Sequence, residues 1–300
     1  MEAAVAGETD RPGSEAMPTN RADRAPVLLV ECEDRSGLVH AITGVLLRHG
    51  ANVVGNQEFV DPGARRFFMR TEFVGVGDPG AVGREVASLL PPGAKVRLTR
   101  PEPKRIVVLA TREHHCLADL LVRHSFGEMN ARIAGVASNH ESLAPFVRRF
   151  DVPFAHFPTD GMSREQHESR VADWIDSLAP DYVVLAKYMR VLGPAFVARY
   201  PSRILNIHHS FLPAFAGARP YHQAFARGVK VIGATAHFVT DELDAGPIIV
   251  QQVVPVDHTR SAEALARAGR DVEQFALAQA LRLVLEDRVF LCGNRTVIFD

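Results

Sequence analysis

From Lys104 onward, short apolar runs alternate with segments of helical period, and this alternation restricts the fold more than any other feature of the chain. The runs "RIVVLAT", "ARIAGVASN", "VPFAHFP", "DYVVLAK", "RILNIHHS" and "VIGATAHFV" read as strands, and the segments around residues 116–125, 142–149, 164–178 and 194–200 as helices. Strands that are apolar on both faces and joined by crossover helices imply a parallel sheet covered on both sides. A last helix is expected over residues 261–287, and a closing hairpin in "RVFLCGNRTVIFD". In such sheets ligands lie beyond the carboxyl ends of the strands, so residues there are the first candidates for a site.

Two of those ends carry polar groups. Side chains alternate along a strand, so Asn206 and His208 in "ILNIHHS" share one face, and Thr235 and His237 in "VIGATAHFV" share another. The acidic loop "TDELDAG" follows, with Asp244 ahead of Gly246, which frees the backbone there. Asp244 can hold or activate a nucleophile, and His208 can polarise a carbonyl or shuttle a proton. Asn206 can donate to an oxyanion without changing charge. The set suits attack on an acyl carbon. Taken singly, each residue has a plainer reading as a satisfied core histidine or a turn-forming aspartate. No metal is expected: His208 and His209, as strand neighbours, should face opposite sides, and the consecutive residues of "EHHC" at 113–116 are poorly placed to share one ion.

Residues 27–100 follow a different pattern, strand–helix–strand–strand–helix–strand, which is a ferredoxin-like order. With "DRSGLVHAITGVLLRHGANV" this unit resembles the ACT domain. The resemblance implies binding of an amino-acid effector at the first strand–helix turn, at Asp34 and Gly37, and pairing with copies of itself, so a homo-oligomer is expected. Residues 1–25 are small, polar and broken by Pro and Gly, and are expected to be a disordered tail without a signal peptide. Residues 101–103 are expected to be a linker between the ACT-like unit (26–100) and the second domain (104–300).

Composition narrows the partners. The formal net charge of −1 gives no electrostatic reason to expect nucleic acid or an anionic membrane. Three scattered cysteines have no metal-ligand spacing, and no apolar run is long enough to span a bilayer, so a reduced, cytoplasmic protein is expected.

The stretches "LNIHHSFLPAFAGARPYHQA" and "GATAHFVTDELDAGPIIVQ" resemble the formyltransferase family that uses 10-formyltetrahydrofolate. The resemblance covers about residues 104–300. It implies that Asn206, His208 and Asp244 are the catalytic residues, with Thr235 and His237 supporting them. It places folate contacts at Met189, Arg190 and Leu192 and along Val239, Thr240, Asp241, Glu242 and Leu243. The expected fold class is therefore α/β: a ferredoxin-like ACT domain (α+β), then a Rossmann-like, mostly parallel-sheet formyltransferase domain.

An ACT-like unit ahead of this fold is similar to the hydrolytic branch of the family, the formyltetrahydrofolate deformylases, as are "VLAKYMRVL" and "AGRDVE". His209 also stands where amine transformylases usually have proline. This implies hydrolysis of 10-formyltetrahydrofolate to formate and tetrahydrofolate, with formate feeding purine synthesis and one-carbon pools balanced. Folate is then a substrate, and no cofactor is implied. The first turn of the second domain, "TREHHCL", agrees: it lacks the glycines that let backbone amides cradle a phosphate. Arg112, His114 and His115 are expected to fill the acceptor side of the cleft instead. The alternatives are formyl transfer to an amine, and a non-catalytic amino-acid or folate sensor.

Overall fold

The computed structural model describes residues 25–99, 102–214 and 220–300. The expected tail, apart from Ala25, and Pro101 of the expected linker lie outside the described residues.

The first unit runs β1 (Val27–Glu33), α1 (Leu38–Arg48), β2 (Asn52–Asp61), β3 (Arg66–Val74), α2 (Pro79–Leu89) and β4 (Lys95–Thr99). Its four strands are all antiparallel, in the order β2-β3-β1-β4. This is the ferredoxin-like arrangement expected of the ACT-like unit. Alternation along β1 divides its side chains: Leu28, Val30 and Cys32 pack under the two helices, while Val27 and Leu29 face away from them.

The second unit continues with β5 (Lys104–Ala110), α3 (His115–Ser125), β6 (Ala131–Ser138), α4 (Ala144–Val147), β7 (Phe154–His156), α5 (Arg164–Ser177), β8 (Tyr182–Leu185) and α6 (Pro194–Arg199). It then adds β9 (Ile204–His208), α7 (Pro220–Arg227), β10 (Val231–Phe238), β11 (Ile248–Pro255), α8 (Ala262–Leu285), β12 (Val289–Cys292) and β13 (Arg295–Ile298). Seven strands form one sheet in the order β11-β10-β9-β8-β5-β6-β7. β5 through β9 are mutually parallel, and β10 and β11 close the sheet antiparallel.

Both faces are covered, as apolar runs require. Ile106 and Val108 of β5 pack with Leu117 and Leu120 of α3 and Leu277 and Leu281 of α8. Val107 and Leu109 point the other way, onto Val171, Ile175 and Phe196 of α5 and α6. Local signals set the helix starts: at α5, Ser163 Oγ accepts from the Gln166 amide while the Gln166 side chain accepts from the Ser163 amide. Among the described residues no helix is long and apolar enough to cross a membrane.

Two details depart from expectation. The helix expected over 142–149 is a single α turn, Ala144–Val147, between 3-10 turns. Pro145 is tolerated only at a helix start, and Asp151 at φ 55 ends the segment. Helix α7 had no counterpart in the sequence reading, although Pro220 at its first position and the buried Ala224 were its signals.

The β12–β13 hairpin folds back onto the ACT sheet. Phe290 meets Phe68 at 5.6 Å and Phe299 at 5.5 Å, both edge-on, and Val27 and Leu29 complete the cluster. Around it, buried Arg70 donates to the Glu286 and Asp287 carbonyls at the end of α8, and Arg295 pairs with Asp61 at 2.6 Å. Phe290→Ala should therefore destabilise the protein by about 3–5 kcal/mol in urea unfolding, whereas a loss below about 1 kcal/mol would mean the ACT sheet does not rest on this ring.

Candidate functional site

The chain passes from β5 outward through β6 and β7, then returns to the other side of β5 to lay down β8 and β9. Adjacent strand ends thus separate at the switch point, which opens a crevice at their carboxyl ends. A cleft of about 290 Å³ lies there, lined by Leu185 at the end of β8 and residues 187–192 after it, by Asn206 and His208 of β9 and His209 just past it, and by His237, Val239 and Asp244 around β10.

The β9–β10 register brings the candidates together: His208 lies opposite Thr235 and Asn206 opposite His237. Asp244 arrives from the following loop, at φ 55, a left-handed conformation that Asp tolerates better than most residues. Gly246 is needed beside it, because a Cβ there would run into the Phe238 carbonyl oxygen.

Hydrogen bonds fix the protons. His237 Nδ1 donates to the Phe238 carbonyl at 2.8 Å, and burial pulls its pKa down, so the ring is neutral and Nε2 is an acceptor. Asn206 Nδ2 donates to that Nε2 at 3.2 Å, which sets the orientation of its amide and leaves a second N–H to donate elsewhere. His208 Nδ1 lies 3.2 Å from Asp244 Oδ2 and donates to it. Buried His208 Nε2 has no partner among the described residues. Burial opposes ionisation of Asp244, but the His208 hydrogen bond and charge outweigh it, with help from His237, and hold the carboxyl below its usual range. A carboxylate, an oriented amide and an unoccupied imidazole nitrogen thus border one space, a set able to hold water and stabilise an oxyanion.

Of the other candidates, Met189, Arg190, Leu192, Val239, Thr240, Asp241 and Leu243 line the cleft. Glu242 does not: its carbonyl accepts from Thr240 Oγ1 and its side chain is exposed. Met189, Val191 and Leu243 leave apolar surface exposed around the cleft, as a site for a partly apolar ligand requires. The loop after β8 is anchored, with the Met189 amide on Thr111 Oγ1 at 2.9 Å and the Gly193 amide on Glu168 at 3.0 Å. Thr235 is fully buried and does not line the cleft; its hydroxyl binds the Ser210 carbonyl and the Leu212 amide, holding the loop after β9. In the ACT unit, Gly37 takes φ 88 at the start of α1 with exposed Asp34 in the same turn, remote in sequence and sheet from the cleft.

Two expectations are corrected. His208 and His209 do not face opposite sides: the strand ends at His208, and the two rings stack with centroids 4.8 Å apart. Nor do Arg112, His114 and His115 fill the cleft. The first two are exposed, and His115 is buried with Nε2 2.7 Å from Glu273.

Glu273 was missed, although a glutamate on the apolar face of α8 beside Gly269, Ala276 and Leu277 was a signal. His115, Cys116 and Glu273 bring ligand-type atoms within 4.8 Å of one another. However, Glu273 Oε2 is already held by His115 and by Lys187 Nζ at 3.1 Å, and Oε1 by the Tyr221 hydroxyl at 2.6 Å. Burial also pushes the Cys116 thiol far up, so it stays protonated. The cluster is an ion-pair network, not a set of free ligands.

The formyl transferase family model matches residues 104–281, and the ACT domain model residues 26–91. A formyltetrahydrofolate deformylase of Escherichia coli is 54% identical over 272 residues, 91% of this chain and 97% of that protein. One from Bacillus subtilis is 42% identical over 279 residues, 91% and 93% of the two chains. A solved formyltetrahydrofolate deformylase from Pseudomonas syringae superposes with a TM-score of 0.89 at 42% identity, covering 92% of this chain and 95% of that one. A glycinamide ribonucleotide transformylase from Symbiobacterium toebii gives a TM-score of 0.64 at 34% identity, covering 70% of this chain and 100% of that one.

The Asp244 pairing has a signature in stability. Its folded pKa lies below the unfolded value, so its contribution is present above the unfolded pKa and is lost as pH falls through the folded one. The gap in melting temperature between the parent protein and Asp244→Asn should be widest near neutrality and close below about pH 4. A gap independent of pH would rule the pairing out.

Proposed function

The chain belongs to the formyl transferase family, on its formyltetrahydrofolate deformylase branch, and we propose how its cleft carries out the reaction of that branch. It is a hydrolase that converts 10-formyltetrahydrofolate to formate and tetrahydrofolate. Transfer to an amine, the alternative, is not favoured, since deformylases at 50–54% identity span nearly the whole chain.

The observation that carries the mechanism is the convergence of Asp244, Asn206 and His208 Nε2 on one cleft. The folate lies along the loops at 189–192 and 239–243, with the formyl group toward Asn206. Asp244 holds water through its carboxylate. The water oxygen bonds to the formyl carbon, and its proton passes to Asp244. The amide N–H that Asn206 does not spend on His237 donates to the developing oxyanion. His208 Nε2 faces the same position while Nδ1 stays on Asp244. The C–N bond to the folate then breaks, the folate nitrogen takes the proton held by Asp244, and formic acid leaves, losing its remaining proton to solvent as formate. Only side chains and water enter this scheme.

Asp34 and Gly37 are our proposed contacts for an amino-acid effector, supported by the positive-φ, uncapped start of α1. The exposed Val53, Val54, Phe59 and Val60 of β2 suit pairing with a second copy. Titrating amino acids calorimetrically into the parent protein and Asp34→Ala tests the effector site, with coupling to folate expected at about 1–3 kcal/mol and equal in both directions.

Formate release from 10-formyltetrahydrofolate, with and without amine acceptors, tests the assignment. Asp244→Asn should lower turnover by roughly 10²- to 10⁴-fold, and Asn206→Ala by roughly 10²- to 10³-fold. Asn206→Ala combined with His208→Ala should lose less than the product of the single effects, because both serve one transition state. Near-normal turnover in Asp244→Asn would remove it as the catalytic carboxylate.

A further inference from the structure

The cleft has two sides. Along one run the loops at 189–192 and 239–243. On the other, around Lys187 and His209, side chains from five separate segments meet. His209 stacks on His208 at 4.8 Å, and Tyr221 lies 6.4 Å beyond His209. Tyr221 donates to Glu273, and Glu273 holds both His115 and Lys187. Lys187 closes the circuit, because it also lines the cleft. Lys187 is 4% exposed and Glu273 1%.

Three observations show that this wall is built in place. Lys187 takes φ 62, a left-handed backbone that a long side chain rarely adopts. Tyr221 sits flat over Gly269, where any Cβ would strike its ring. Burial opposes the Glu273 charge, but His115, Lys187 and Tyr221 outweigh it and hold the carboxyl down at about 2, so Glu273 stays ionised through the neutral range.

The same fold serves a protein described as a glycinamide ribonucleotide transformylase, so the sheet and its crevice do not by themselves select water. We propose that the Lys187–Glu273 pair, braced by Tyr221 and His115, determines acceptor specificity: it fills the side of the cleft through which an amine would reach the formyl carbon, leaving room only for water beside Asp244. This rests on the hydrolytic reading above. Opening the wall should admit a primary amine. Its nitrogen would bond to the formyl carbon, the C–N bond to the folate would break, and the amine proton would pass to the folate nitrogen, giving a formylated amine in place of formate.

The experiment measures the ratio of formylated amine to formate, with glycinamide and separately glycinamide ribonucleotide supplied with 10-formyltetrahydrofolate. A ratio does not depend on how much of a preparation is active, so a loss confined to stability leaves it unmoved. Lys187→Gly suits the left-handed backbone, and Tyr221→Ala opens the wall from a half-buried position; both are checked for folding by circular dichroism. Formate release by the parent protein tests the hydrolytic reading by itself. The expected result is a parent ratio near zero and a rise of roughly tenfold or more in at least one variant with at least one amine. Unchanged ratios in both variants overturn the proposal, as do folded variants that form neither product.

Discussion

Asn206 and His208 serve one cleft because β10 runs antiparallel to β9 in a single register. That pairing sets His237 opposite Asn206 and Thr235 opposite His208. A slip of one residue would turn both pairs to the other face of the sheet. His237 could then no longer orient the Asn206 amide, and Thr235 could no longer hold the Ser210–Leu212 loop. The entry to the Asp244 loop also depends on it, since the Val239 amide donates to the Ile204 carbonyl of β9 at 2.9 Å. The large apolar faces of β9 and β10, packed under α8, make this register costly to leave.

The site keeps few charges, and each is placed. His237 and His209 are neutral by burial, His209 pushed down to about 4 with Lys187 and His208 adding to the effect. Asp244 and Glu273 remain carboxylates because their partners outweigh the cost of burial. Asp244 faces the cleft and Glu273 is locked behind it. Adjacent histidines therefore differ in role: His208 has a free nitrogen, whereas His209 is a neutral ring between it and Tyr221.

Much of this was legible because it rests on short periods. Alternation placed Asn206 with His208 and Thr235 with His237, and apolar runs gave the strands of both sheets. What the sequence did not disclose depends on distance. Glu273 meets His115 across 158 positions, and no local pattern reports such a pair. Strand direction was also hidden: β10 is buried on both faces as thoroughly as its parallel neighbours, so its pattern does not reveal that it runs antiparallel. The stacking of His208 and His209 was misread because alternation ends where the strand does.

The β12–β13 hairpin answers to both halves of the molecule. Phe290 and Phe299 lie on the ACT sheet, while Asn294 donates to the Ala245 carbonyl at 2.8 Å and Thr296 to that of Ile248 at 2.6 Å, on either side of the Gly246 turn that presents Asp244. The two units are therefore not interchangeable cassettes. A foreign ACT module grafted in front of residue 104 would have to present its own match for Phe290 and Phe299, or leave aromatic surface open to water and the Asp244 loop without its brace. Recombination that respects the linker alone would break this seam, so the two halves are expected to have changed together rather than by exchange.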